Sequence, residues 1–158
     1  MKKFKFFSLL RLFPLLCASC SSSGQATPAE ASSNYAKLRY TYNYDYKNYC
    51  YFPANAGRLI DASINEALLT IDGYSKIEVS KLNYKKSASL NNEEISSLKI
   101  NDGKVVSEAE KGTLYYHWIM ETNEKGKSIN LPEVNQDYSE DITTIKIDQK
   151  WFVYITVH

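Results

Sequence analysis

Residues 55–73, NAGRLIDASINEALLTIDG, decide the fold class. Ile60, Ile64, Ala67, Leu68 and Ile71 recur at three- and four-residue spacing, the period that gathers side chains into one stripe of an α-helix. Arg58, Asp61, Asn65 and Glu66 fall mainly on the other side. Asn55 stands upstream as a cap, and Gly73 occupies the place of a left-handed helix stop. The spacing predicts a helix over 55–72 with Ile60, Ile64, Leu68 and Ile71 turned inward.

Beyond Gly73 the chain reads as strands and turns. Ile77 to Tyr84 has strand-like composition, and Asn91 with Glu94 forms a capping-box pattern before a helical turn around Ile95 and Leu98. Asp102-Gly103 and Lys111-Gly112 read as turns, Val105 to Ala109 as a short strand between them. Thr113 to Thr122 reads as a long strand with Leu114, Tyr116, Trp118 and Met120 on one face. Asn123 to Gly126 reverses the chain into Lys127 to Leu131. A polar loop with Pro132, Asp137, Glu140 and Asp141 then leads to a closing hairpin, Ile142 to Ile147 and Lys150 to Val157, joined at Asp148-Gln149. One long helix followed by antiparallel strands is the pattern of an α+β domain, one main helix packed on a curved antiparallel sheet.

Upstream of the helix, Leu38 to Tyr46 places Tyr at 40, 42, 44 and 46 with Thr41, Asn43 and Asp45 between them. A period of two becomes one aromatic face only in a strand. The later tyrosines fall at 49 and 51, so a bulge or turn is expected near Lys47-Asn48. Phenol rings combine an apolar face with a hydroxyl, which suits them either to wall the space between helix and sheet or to stack on a ligand. Tyr40, Tyr42, Tyr44 and Tyr46 are the candidate ligand-binding residues.

Before the tyrosines, Ser21 to Ser33 holds Ser, Ala, Thr and Pro with no bulky apolar residue, the composition of a flexible tether. Ahead of it, Lys2, Lys3, Lys5 and Arg11 give a cationic start, and the apolar run from Leu12 to Ala18 is too short to span a membrane. Ala18-Ser19-Cys20 resembles the lipobox of bacterial lipoproteins, with Cys17 where Leu is usual. The resemblance implies cleavage before Cys20 and acyl chains on that residue. Ser21 rather than Asp after the cysteine is similar to the outer-membrane sorting signal of enteric bacteria. The expected organisation is a signal over 1–19, a tether over 20–33 and a single α+β domain over 34–158.

Four of the 19 Lys and Arg lie before Cys20, so the remaining 15 face 18 Asp and Glu, a net charge of about −3 in the mature chain. That balance argues against a nucleic-acid partner. With Cys20 acylated, Cys50 is the one thiol left, flanked by Tyr49 and Tyr51 and expected to be packed in or near a strand.

Motifs for chemistry are sparse. Gly126-Lys127-Ser128 ends like a phosphate-binding loop, but Glu121 stands where the first Gly is required. His117 and His158 are the two histidines, and neither lies at ligand spacing from another His or Cys, so no metal and no cofactor are expected. Asp137, Glu140 and Asp141 lack the alternating carboxylates and turning Gly of a calcium loop. His117 is the best residue for acid–base work, opposite Trp118 and on the face of Tyr115, Ile119 and Glu121.

The closing hairpin, Ile145-Lys146-Ile147-Asp148-Gln149-Lys150-Trp151-Phe152-Val153-Tyr154, resembles the ending common in small NTF2-like and cystatin-like domains, with Gln149 in place of their Gly. Asp61-Ala62-Ser63-Ile64 with Lys76-Ile77 is similar to a stretch of TRL-like small lipoproteins. Neither resemblance supplies catalytic residues. The expectation is a lipid-anchored envelope protein with a non-catalytic domain that binds a protein or small ligand. The alternatives are an NTF2-like enzyme with His117 in a pocket, or an assembly factor that lends an edge strand to an envelope complex.

Overall fold

The computed structural model of the chain describes residues 25–52, 56–100 and 103–155, with the backbone alone over 56–58. The signal segment, Cys20 and the cap expected at Asn55 lie outside the described residues, as does the side chain of Arg58.

Helix α1, Pro28–Tyr40, begins inside the stretch expected to be a tether. Thr27 Oγ1 accepts the Glu30 N–H at 3.2 Å, and the Glu30 carboxylate reaches back to the Ala26 N–H at 3.1 Å. Pro28 sits in the first turn, where its missing N–H costs nothing. Such a cap contributes about 1 kcal/mol. Ala31, Ser32 and Ala36 are fully buried, so apart from the buried Tyr35 the face that α1 presents to the sheet is made of small side chains. Ala is also the best helix former. A composition that reads as a linker therefore forms a helix that packs closely.

The strand expected over 38–46 does not form. α1 ends at Thr41, Tyr42 takes a left-handed φ of 60°, and Tyr44–Tyr49 is a 3₁₀ helix begun by Asn43, whose side chain accepts the Asp45 N–H. The alternating tyrosines thus fall on three kinds of backbone and face different surroundings. Tyr46 is fully buried, Tyr40 and Tyr42 are half-buried, and Tyr44 is exposed.

Helix α2, Ala56–Leu68, lies where the spacing predicts. Ile64 is fully buried, and Ile60 and Leu68 pack against the same core. It stops at Leu68 rather than at 72, giving way to a turn and a 3₁₀ helix over Ile71–Gly73. Gly73 is not left-handed. It is needed instead for a close backbone contact with Gly126.

The sheet has strands β1 (Cys50–Tyr51), β2 (Tyr74–Ser89), β3 (Glu108–Thr122), β4 (Val134–Ile147) and β5 (Lys150–Tyr154), in the order β1-β5-β4-β3-β2. Only the short β1 runs parallel to its neighbour. β3 continues through the expected turn at Lys111-Gly112, because the Tyr84 ring of β2 lies over Gly112 where any Cβ would collide with it. β4 absorbs the acidic stretch expected as a loop. The pairing of Tyr138 with Tyr116 and of Glu140 with Leu114 keeps its alternate residues on the covered face. The reversal expected over Asn123 to Gly126 is made by the short helix α4, Glu124–Ser128, capped by Asn123, and a turn rather than a strand follows it. Helix α3, Asn92–Ser96, carries the reciprocal Asn91–Glu94 capping box. The fold class is α+β, as the sequence predicts, but α1 supplies the main cover of the sheet.

Two apolar clusters result. The larger joins Tyr35, Ala36, Tyr46, Ile64, Leu114, Tyr116, Ile142 and Val153 between the helices and one sheet face. The smaller, Ala109, Ile145, Ile147 and Tyr154, lies on the opposite face, covered by Ile95, Leu98, Ile100 and Val106.

Candidate functional site

On the covered face, β3 and β4 bring Tyr116, Trp118 and Tyr138 together, and Tyr40 descends on them from the last turn of α1. Tyr40 stacks on Tyr116 at 5.0 Å between ring centroids, and Tyr116 stacks on Tyr138 at 5.7 Å. Trp118 closes the group, tilted against Tyr40 at 5.6 Å and edge-on to Tyr138 at 5.8 Å. Aromatic pairs of this kind contribute about 0.5–1.5 kcal/mol each beyond burial, so the rings hold one another in place.

Beside this cluster opens a cleft of about 440 Å³. Arg39, Tyr40 and Tyr42 form the α1 side. Ser63, Glu66 and Ala67 on a flank of α2, with Thr70 in the turn just beyond it, form the other, recurring at three- and four-residue spacing. Trp118 completes the lining, and its indole Nε1 is buried with no hydrogen-bond partner among the described residues. Arg39 Nη2 donates to Ser63 Oγ at 3.1 Å, tying the walls together. Tyr42 is anchored by its hydroxyl on Met120 Sδ at 3.8 Å. The lining therefore holds aromatic rings, one guanidinium, one carboxylate, and the Ser63 and Thr70 hydroxyls, which donate to the Ile60 and Ala67 carbonyls and keep lone pairs to accept with.

Behind the cleft the Tyr40 hydroxyl donates to Glu140 at 2.5 Å. Burial pushes the Glu140 carboxyl above its usual range, against the opposing effects of the Tyr40 hydrogen bond and of Arg39. Burial, and then Glu140 itself, pushes the Tyr40 phenol far up, so it remains a donor.

Of the four candidate tyrosines, Tyr40 and Tyr42 line the cleft. Tyr46 is core, its hydroxyl donating to Asp61 at 3.2 Å, and Tyr44 is spent on Asn65 of α2. The sequence reading missed Arg39, Ser63, Glu66 and Thr70 as companions of the tyrosines. The available signal was Thr27-x-x-Glu30 with Pro28, which starts α1 and carries Arg39 and Tyr40 to its end.

His117 does not line this cleft. It projects from the opposite sheet face, where Asp137 pairs across from it on β4. Nδ1 lies 2.7 Å from Asp137 Oδ1 and Nε2 lies 2.9 Å from Asn135 Oδ1, so both ring nitrogens are engaged. The hydrogen bond from His117 holds the Asp137 carboxyl below its usual range. Asp141 accepts from Thr113 Oγ1 at 2.8 Å on the same face, while Glu140 points to the other, so the three acids do not converge. Burial raises the Cys50 thiol to about 12, which keeps it protonated and unreactive. Among the described residues no helix is long and apolar enough to cross a membrane. The chain matches no protein family, no curated protein and no solved structure.

Proposed function

We propose that this chain is a bacterial envelope lipoprotein, acylated at Cys20 and sorted to the outer membrane, whose α+β domain binds a small polar ligand without catalysing a reaction. The observation that carries the binding reading is the cleft in which Tyr40, Tyr42 and Trp118 meet Arg39, Glu66, Ser63 and Thr70. A sugar ring fits that chemistry: its C–H face stacks on aromatic rings, and its hydroxyls pair with guanidinium, carboxylate and hydroxyl groups. The lipid anchor rests on the cationic start, the short apolar run and Ala18-Ser19-Cys20.

The test is a titration of the domain with a panel of mono- and disaccharides, followed by indole fluorescence. Trp118 reports from the cleft, and a Trp118→Phe variant gives the background from Trp151. A saturable change that disappears in Tyr42→Ser supports the reading. A flat response to every sugar, with fold retained, refutes it. For the anchor, a clickable fatty acid should label the wild type and not Cys20→Ala.

A further inference from the structure

We infer that the end of the sheet carrying the Asp148-Gln149 turn rests on the phospholipid headgroup layer, while the ligand cleft lies at the pole remote from the membrane. This rests on the acylation of Cys20 proposed above.

The argument starts at Gln25, which is pinned to the domain rather than free in a tether. Its carbonyl accepts the Trp151 N–H at 2.8 Å, its side-chain amide donates to the Asn48 carbonyl at 2.5 Å, and it is only 8% exposed. Five residue steps separate Cys20 from Gln25, and a chain of that length spans at most about 18 Å even when fully extended. Trp151 lies two residues beyond the turn, whose Asp148, Gln149 and Lys150 are exposed. The point of attachment and the turn are therefore neighbours, and an acylated Cys20 leaves this pole no room to leave the bilayer surface. Amide, carboxylate and ammonium groups suit it to headgroups and water, not to the hydrocarbon.

Two elements carry the cleft away from this pole. α1 starts just after Gln25 and runs 13 residues, about 20 Å, before it delivers Arg39 and Tyr40. β3 starts at Glu108, opposite Lys146 beside the same turn, and reaches Trp118 ten residues later, about 33 Å along a strand. Helix and strand thus place the ligand site at the far end of the molecule.

The full chain, expressed with its own signal, is extracted from membranes and reconstituted in phosphatidylethanolamine and phosphatidylglycerol vesicles containing a headgroup-nitroxide lipid. A fluorescent amino acid replaces either Gln149 at the turn or Leu69 beside the cleft, both exposed. Quenching at least threefold stronger at position 149 is expected. Equal quenching, or stronger quenching at position 69, overturns the inference while leaving the lipoprotein reading intact. The mass of the N-terminal peptide reads acylation separately. If Cys20 carries no lipid, that reading fails. The geometry is then tested by coupling the Cys20 thiol of the chain that begins there to a maleimide phospholipid and repeating the comparison, since buried Cys50 does not compete. The same threefold contrast supports the placement, and its absence rejects it.

Discussion

Gly73 and Gly126 meet backbone to backbone. A Cβ on Gly73 would lie 3.1 Å from Gly126 Cα and would collide with the Leu131 side chain, and a Cβ on Gly126 would overlap the Gly73 carbonyl. The Gly73 carbonyl also accepts the Asn123 N–H at 3.0 Å, and Asn123 caps α4. The contact therefore locks the start of β2 to the reversal after β3. Gly126→Ala should destabilise the domain by about 1–3 kcal/mol, because the obstructing atom is backbone and cannot swing aside. Urea unfolding measures it; an unchanged midpoint would mean that the two segments do not touch.

The β4–β5 turn gives a change in the other direction. Asp148 and Gln149 both have left-handed backbone, φ 50° and 65°, the geometry that two-residue hairpins favour and that Gly adopts without steric cost. Gln149→Gly should raise stability by about 1 kcal/mol, the left-handed strain relieved less the extra freedom of the unfolded chain. A higher urea midpoint with an unchanged slope is the expected result.

The tyrosines separate by role. Tyr46→Ala empties a fully buried site and should cost about 3–5 kcal/mol in chemical denaturation. Tyr42→Ser, at a half-buried ring on the cleft wall, should cost much less while abolishing the binding proposed for the cleft. If the two substitutions destabilise equally, Tyr42 belongs to the core and not to the cleft.

The contrast between those tyrosines shows what the sequence can reveal. α2 was legible because Ile60, Ile64 and Leu68 are large and periodic, and the closing hairpin because β4 and β5 flank an obvious two-residue turn. α1 was not, because three of its four buried residues, Ala31, Ser32 and Ala36, are small, and the fourth, Tyr35, gives hydrophobic periodicity nothing to repeat. The strict period of Tyr40, Tyr42, Tyr44 and Tyr46 then suggested a strand. The cap at Thr27 had already committed the chain to a helix that ends in their midst. β4 was hidden for the opposite reason: Glu140 is an inward-facing acid satisfied by Tyr40, a partner 100 positions away. Half of the cleft followed from Tyr40 and Tyr42. The other half, Ser63, Glu66 and Thr70, required knowing where α2 lies against α1.

That buried acid gives the last prediction. The folded carboxyl of Glu140 is raised above its ordinary value of 4.5, chiefly by burial, with Arg39 and the Tyr40 hydroxyl opposing the rise. A group raised in this way contributes stability that is fully present below its unfolded value and is lost as pH climbs through the folded value. Glu140 therefore makes the domain weaker, not stronger, on leaving acid. Asp137 has the opposite sign: depressed by His117, it contributes stability above its unfolded value that is lost as pH falls through its folded value. The two cannot be separated in the wild type alone, but Asp137 cancels in a comparison with Glu140→Gln. The variant keeps an amide oxygen to accept from Tyr40 and has nothing to titrate. Its stability relative to wild type should rise from roughly pH 4.5 upward and level off once Glu140 is ionised. Urea midpoints for both proteins across that range decide the matter. A difference that stays flat with pH would mean that the carboxyl is solvated and that the aromatic cluster does not enclose it.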